Sequence, residues 1–76
     1  MKLGIYRHHK GGYYMVTGIA RDSTNGAKQR DVVVYIGLSE KSGPRTFVRD
    51  LAEFCGTVDR SAGGVPRFEY VGLEIP

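Results

Sequence analysis

Seventy-six residues make one domain, residues 1–76, with a thin core, because a chain of this size buries only about 60–65% of the surface its unfolded form exposes. That leaves little room for both a core and a deep catalytic cavity, and it favours a binding module or an oligomer over an enzyme acting alone. With 41% hydrophobic and 25% charged residues the composition excludes a disordered chain, and a formal net charge of +3 permits an anionic partner without demanding one.

The first element in chain order is a short strand over Leu3–Tyr6, with Leu3 and Ile5 on one side. Gly11-Gly12 marks a turn. Tyr13–Ala20 is rich in aromatic and β-branched residues and predicts a strand, in which Gly18 points to a bulge or a close backbone approach. Asp22-Ser23-Thr24-Asn25-Gly26 gathers turn formers, and the loop they open is expected to run on through Arg30. Asp31–Leu38 is the strongest strand. Val32, Val34, Ile36 and Leu38 share one face, Val33, Tyr35 and Gly37 the other, so a central, doubly covered place is expected.

Ser39–Pro44 reads as a polar loop and Arg45–Arg49 as a strand with Phe47 facing away from Thr46 and Val48. The period then changes. Asp50 can cap, Glu53 follows three residues later, and Leu51, Phe54 and Cys55 recur at helical offsets before Gly56. One or two helical turns over an end of the sheet are predicted. Ser61-Ala62-Gly63-Gly64 reads as a turn and Val65–Val71 as a last, half-buried edge strand, with Pro66 near its start. The fold class expected is mainly β: a small, partly open SH3-like barrel of four to five antiparallel strands with one short helical turn.

Cys55 is the single cysteine, so an internal disulfide is excluded and a reducing, cytoplasmic setting is expected. Arg7, His8, His9 and Lys10 break the apolar stretch after Met1, so no secretory leader is expected. The longest apolar run, Val32–Leu38, is too short to span a bilayer as a helix.

Five segments occur in a telling order: Tyr6-Arg7-His8-His9-Lys10-Gly11, Gly18-Ile19-Ala20-Arg21, Val33-Val34-Tyr35, Phe47-Val48-Arg49 and Val65-Pro66-Arg67-Phe68. In this order and spacing the chain resembles the family known as domain of unknown function 1653, whose pattern opens Tyr-Arg-His-Tyr-Lys-Gly, continues through Ala-Arg-His-Ser-Glu-Thr and Trp-Val-Arg-Pro, and closes on Pro-Arg-Phe. This sequence departs from that pattern at His9 (Tyr in the family), Asp22 (His), Thr24-Asn25 (Glu-Thr), Phe47 (Trp) and Asp50 (Pro). The resemblance implies a small bacterial or phage protein with a compact β domain, and it implies no reaction.

Metal binding by His8-His9 is not expected: a closed site needs more ligands than the chain offers nearby, and adjacent strand residues point to opposite faces. Cys55 reads as a small buried thiol beside Phe54 and Leu51 rather than a nucleophile. Neither glycine pair precedes the Lys-Ser or Lys-Thr of a phosphate loop. No catalytic residue and no cofactor are assigned.

The arginines interleaved with aromatics carry the functional expectation. Guanidinium grips phosphate bidentately and rings stack on bases, so a nucleotide, a short nucleic acid or another anionic ligand is the expected partner. The expected contacts are Tyr6, Arg7, His8, Lys10, Arg21, Tyr35, Arg49 and Arg67, with Arg7, Arg21, Arg49 and Arg67 converging on one cleft. The same arginines could instead pair with Asp22, Asp31, Asp50 or Glu69. Two other functions compete. One is a structural or interaction module that forms a homodimer through the Val65–Val71 edge. The other is a small hydrolase using His8 with Asp50 or Glu53.

Overall fold

Alternation of apolar side chains along short strands, punctuated by glycine turns, builds the whole molecule. The computed structural model describes residues 1–26, 29–38, 41, 43–60 and 63–76, with the backbone alone at 59 and 60. The strands are β1 (Gly4–His8), β2 (Tyr13–Asp22), β3 (Arg30–Gly37), β4 (Arg45–Asp50), β5 (Thr57–Arg60), β6 (Gly63–Pro66) and β7 (Phe68–Gly72), and one helical turn, α1 (Leu51–Phe54), follows β4. Five strands form one antiparallel sheet in the order β4-β3-β2-β1-β7, and β5 pairs with β6 in a separate hairpin. The protein is therefore mainly β and partly open, as expected. The five-stranded sheet does not close into a barrel, and no β4–β7 ladder joins its edges among the described residues.

Register explains which residues meet. Tyr6 lies beside Tyr14 on one side and Tyr70 on the other. Val16 faces Tyr35, and Tyr35 faces Phe47. His8 lies beside Phe68, and Val33 beside Arg49. Side chains alternate across a sheet, so these residues share one inner face. The helical turn covers it. Asp50 caps α1 by accepting the Glu53 backbone N–H at 3.1 Å, and Phe54 drops into the centre of the core with Tyr6, Val16, Val33, Tyr35 and Phe68. Ile5 and Val32, on the opposite face, are also buried.

The sheet bulges between Val16 and Gly18, as the glycine within β2 predicts. The Gly11-Gly12 turn is also in place, with both glycines at positive φ, 95° and 83°, a conformation that only glycine adopts without strain. Asn25-Gly26 turns as well. The Ser39–Pro44 loop and the Ser61–Gly64 turn lie partly outside the described residues.

Four expectations need correction. Val65–Val71 is not one strand: Arg67 separates β6 from β7, its N–H donating to the Gly56 carbonyl and its carbonyl accepting from the His9 N–H, each at 3.0 Å. Those bonds tie the junction to the residue after the α1 C-cap and to the turn after β1 instead of to a ladder. Gly63 and Gly64 belong to β6 rather than to a turn. Cys55 is exposed, because the helix ends at Phe54 and the next residue, its C-cap, leaves the buried face. Leu3 precedes β1 and is exposed too.

Candidate functional site

The Gly11-Gly12 turn sets the position of His8. The His8 N–H donates to the Gly12 carbonyl at 3.1 Å, and the Gly11 N–H donates to the His8 carbonyl at 2.8 Å. The His8 imidazole then lies edge-on to Phe68, centroids 4.9 Å apart, and to Tyr14 at 6.1 Å. Its Nδ1 accepts the Lys10 backbone N–H at 3.1 Å. Burial lowers the His8 pKa below its ordinary value, and the positive charges of His9, Arg49, Lys10 and Arg67 lower it further. At neutral pH the ring is therefore neutral, and with Nδ1 accepting, the proton sits on Nε2. His8 presents one fixed N–H donor.

Arg49 supplies the cation. β4 places it on the inner face beside Val33, with its guanidinium 5.8 Å from the centroid of the Phe68 ring. Its Nε donates to the Tyr35 hydroxyl at 3.4 Å, and its Nη1 forms an ion pair with Glu53, four residues on. The hydrogen bond to Tyr35 raises the Arg49 pKa most, and Glu53 adds to it against the opposing effect of burial. Arg49 is a permanent charge.

Between these two groups, His8, Tyr14, Tyr35, Phe47, Arg49 and Phe68 line a cleft of about 130 Å³. Its walls are rings: Tyr35 stacks on Phe47 at 5.5 Å, and Tyr14 meets Phe68 edge-on at 5.7 Å. A second cavity of about 370 Å³ is lined by Arg7, His8, His9, Val65, Pro66 and Glu69. His8 is the one residue in both linings.

Of the eight residues expected from sequence, the structure brings His8, Tyr35 and Arg49 together in the aromatic cleft. Arg7 lines the neighbouring cavity, opposite Glu69 in the register. Tyr6 is buried in the core, where its hydroxyl donates to the Lys2 carbonyl at 2.7 Å and burial raises its pKa. Lys10 is exposed in the glycine turn. Arg21 lies toward the far end of β2, its Nε 2.8 Å from Asp31. Among the described residues the Nε of Arg67 is buried with no hydrogen-bond partner.

The expected convergence of four arginines on one cleft is thus corrected. Arg49 alone of the four lines the aromatic cleft, and both Arg21 and Arg49 are engaged by carboxylates. The physical reasons differ: Arg7 projects opposite to His8 on the same strand, and Arg21 pairs with Asp31 toward the far end of β2, where the Asp31 carboxylate holds it.

The expected contacts omit Tyr14, Phe47 and Phe68, although Phe47 and Phe68 sit within arginine–aromatic motifs. The signal that finds them is their position on the inner-face side of their strands. The carboxylates proposed as partners for a catalytic His8 are placed elsewhere. Asp50 caps α1 and lies 4.0 Å from Arg30, and Glu53 holds Arg49. Among the described residues no three His, Cys, Asp or Glu side chains form a group that could hold a metal ion, and no helix is long and apolar enough to cross a membrane.

Comparison with known proteins finds no match among curated ones. One crystal structure, of a protein belonging to DUF1653 from Bordetella bronchiseptica, is similar over 100% of this chain and 94% of the other, with 39% identity and a TM-score of 0.85. A family model described as "Protein of unknown function (DUF1653)" matches residues 4–70, which covers every segment on which the resemblance was read, and the chain belongs to that family.

Proposed function

We propose that this protein is a non-enzymatic binding module whose aromatic cleft takes a flat, anionic ligand such as a nucleotide. The observation that carries the proposal is the pairing of a permanent cation with a neutral N–H donor across a ring-lined cleft. Arg49 stands over Phe68 on one side, and His8 is held in its Nε2–H form on the other. Rings bind a flat group by stacking, and the two donors fix its orientation.

The Glu53 carboxylate does not block this role. Its side chain is about half exposed, and an exposed ion pair of this kind stabilises by only about 0.2–1 kcal/mol. A ligand anion held by Arg49 inside the cleft can displace it at small cost. The buried Nε of Arg67, without a hydrogen-bond partner among the described residues, and the exposed Arg7 add positive potential nearby.

The test is a titration of the protein with nucleoside monophosphates at low and moderate salt. Binding that weakens as salt rises, and weakens again in Arg49→Ala, is expected. An isotherm unchanged by salt and by the substitution contradicts the proposal.

Self-association through a sheet edge is the second proposal. β7 is an edge strand, and Val48 on the other edge strand is 63% exposed. Light scattering tests it: a stable dimer favours self-association, and a monomer at every concentration contradicts it.

A further inference from the structure

We infer that two copies of this chain associate through β4, pairing antiparallel about a two-fold axis at Val48. The inference rests on the self-association proposed above and names its edge and its register.

The choice of edge comes first. The sheet ends in β4 on one side and β7 on the other. An edge strand leaves backbone N–H and C=O groups unpaired, and folds blunt such edges with bulges, prolines or lysines. β7 is blunted: its register against β1 shifts between Ile5 and Tyr6, and it closes on Gly72 at a φ of 121°. β4 has none of these devices. Its six residues, Arg45–Asp50, hold no Pro, Gly or Lys and pair with β3 without a register shift. Thr46, Phe47 and Val48 all favour extended backbone. Val48 is 63% exposed, more than any other large hydrophobic in a strand among the described residues.

Register comes second. Residues directly opposite each other in a sheet point to the same face, so a two-fold axis normal to the sheet passes through a residue and not between two. An axis at Phe47 sets Arg45 against Arg49, and an axis at Arg49 sets that arginine against its own copy. Like charges directly opposite are destabilising. An axis at Thr46 engages only Arg45–Phe47 of each strand. An axis at Val48 engages Thr46–Asp50 and sets Val48 against Val48, Phe47 against Arg49 and Thr46 against Asp50. The valines cover each other, the ring meets a guanidinium, and a hydroxyl faces a carboxylate.

Place comes third. Val48 lies beside Val34, on the face opposite to Phe47 and Arg49. Phe47 and Arg49 line the aromatic cleft. The axis preserves faces, so the two sheets continue into one and carry both clefts on the same side, flanking the seam. Arg49 of each copy then stands beside the other copy's Phe47.

The experiment is light scattering of the intact protein over a range of concentrations, joined to disulfide trapping. A wild-type dimer is expected, and Val48→Lys is expected to lose it, because a lysine blocks an edge and here would face its own copy. A circular dichroism spectrum like that of the wild type shows that this surface variant folds. For trapping, the exposed Cys55 is first replaced by Ser. Val48→Cys in that background is expected to close a disulfide between copies under mild oxidation, since directly opposed Cα atoms lie about 4.5–5.5 Å apart, within disulfide reach. Thr46→Cys is expected to stay unlinked, because Asp50 stands opposite it.

A dimer that persists in folded Val48→Lys, or that does not trap through Val48→Cys, overturns the inference and leaves self-association standing. A disulfide between Thr46→Cys and Val48→Cys in a mixed sample places the axis at Phe47 and does the same. A monomer at every concentration overturns both.

Discussion

The ring of Phe68 lies flat on that of Phe54, centroids 4.0 Å apart and planes 7° from parallel. One side of Phe68 therefore belongs to the core, packed under the helical turn, and the ring also lines the cleft. Core and cleft share a wall, so the site is only as rigid as the packing of α1. Phe54 is 1% exposed and also meets Tyr6 and Tyr35 edge-on at 5.3 Å.

Replacing Phe54 by Ala removes that support. A buried Phe-to-Ala change costs about 3–5 kcal/mol, and for a domain this small that is a large part of the total stability. Urea unfolding is expected to show a midpoint shifted far down, with ligand binding lost in parallel. A variant as stable as the wild type contradicts the placement of Phe54 at the centre of the core.

Gly4 tests the backbone. Its φ is +132°, and a Cβ there would stand 2.8 Å from the Gly72 carbonyl oxygen. Gly4→Ala meets both backbone strain and a backbone clash, so a loss of about 1–3 kcal/mol is expected by urea unfolding. Gly18→Ala is the control: its φ is not positive and a Cβ there meets nothing within 4 Å. It should change stability much less.

Much of the fold is legible in the chain because period-two alternation fixes which residues share a face within each strand. Val33 and Tyr35 are assigned together from sequence and do meet on the inner face. The Asp50 cap and the Gly18 bulge follow from local chemistry alone. What alternation does not carry is which strands become neighbours. The arginines look equivalent as motif members, yet Arg49 lands over Phe68 while Arg21 ends beside Asp31. Arg67 breaks the last strand through bonds to Gly56 and His9, partners remote enough that no local pattern announces them. Cys55 occurs at a helical offset from Leu51, but the helix stops one residue too soon for the offset to bury it.

The pH dependence has a defined sign. His8 has a lowered pKa in the folded state, mainly through burial. Above the unfolded value, about 6.5, it is neutral in both states and makes no pH-dependent contribution. As pH falls below that value the unfolded chain takes up the proton more readily, and stability declines until the folded pKa is passed. The thermal midpoint is expected to fall as pH drops below about 6.5, and to fall less in His8→Asn. Anion binding has the opposite trend, because a nearby negative charge favours protonated His8: affinity should rise as pH drops through the same window. Equal pH slopes for wild type and His8→Asn contradict this role for His8.

Glu53 sets how available Arg49 is. Glu53→Gln keeps the backbone N–H that Asp50 accepts and removes the competing charge. Loss of an exposed ion pair of about 0.2–1 kcal/mol corresponds to roughly a one-and-a-half- to fivefold gain in anion affinity. Titration calorimetry with a nucleoside monophosphate resolves such a gain. Weaker binding by Glu53→Gln instead places the carboxylate among the ligand's contacts.

The most direct measurement is the salt dependence of nucleoside monophosphate affinity for wild type and Arg49→Ala. The wild type should lose affinity as salt rises, because salt screens the attraction between guanidinium and phosphate, and Arg49→Ala should bind more weakly with a flatter slope. Identical affinities and slopes for the two proteins contradict the assignment of the Arg49–His8 cleft as the binding site.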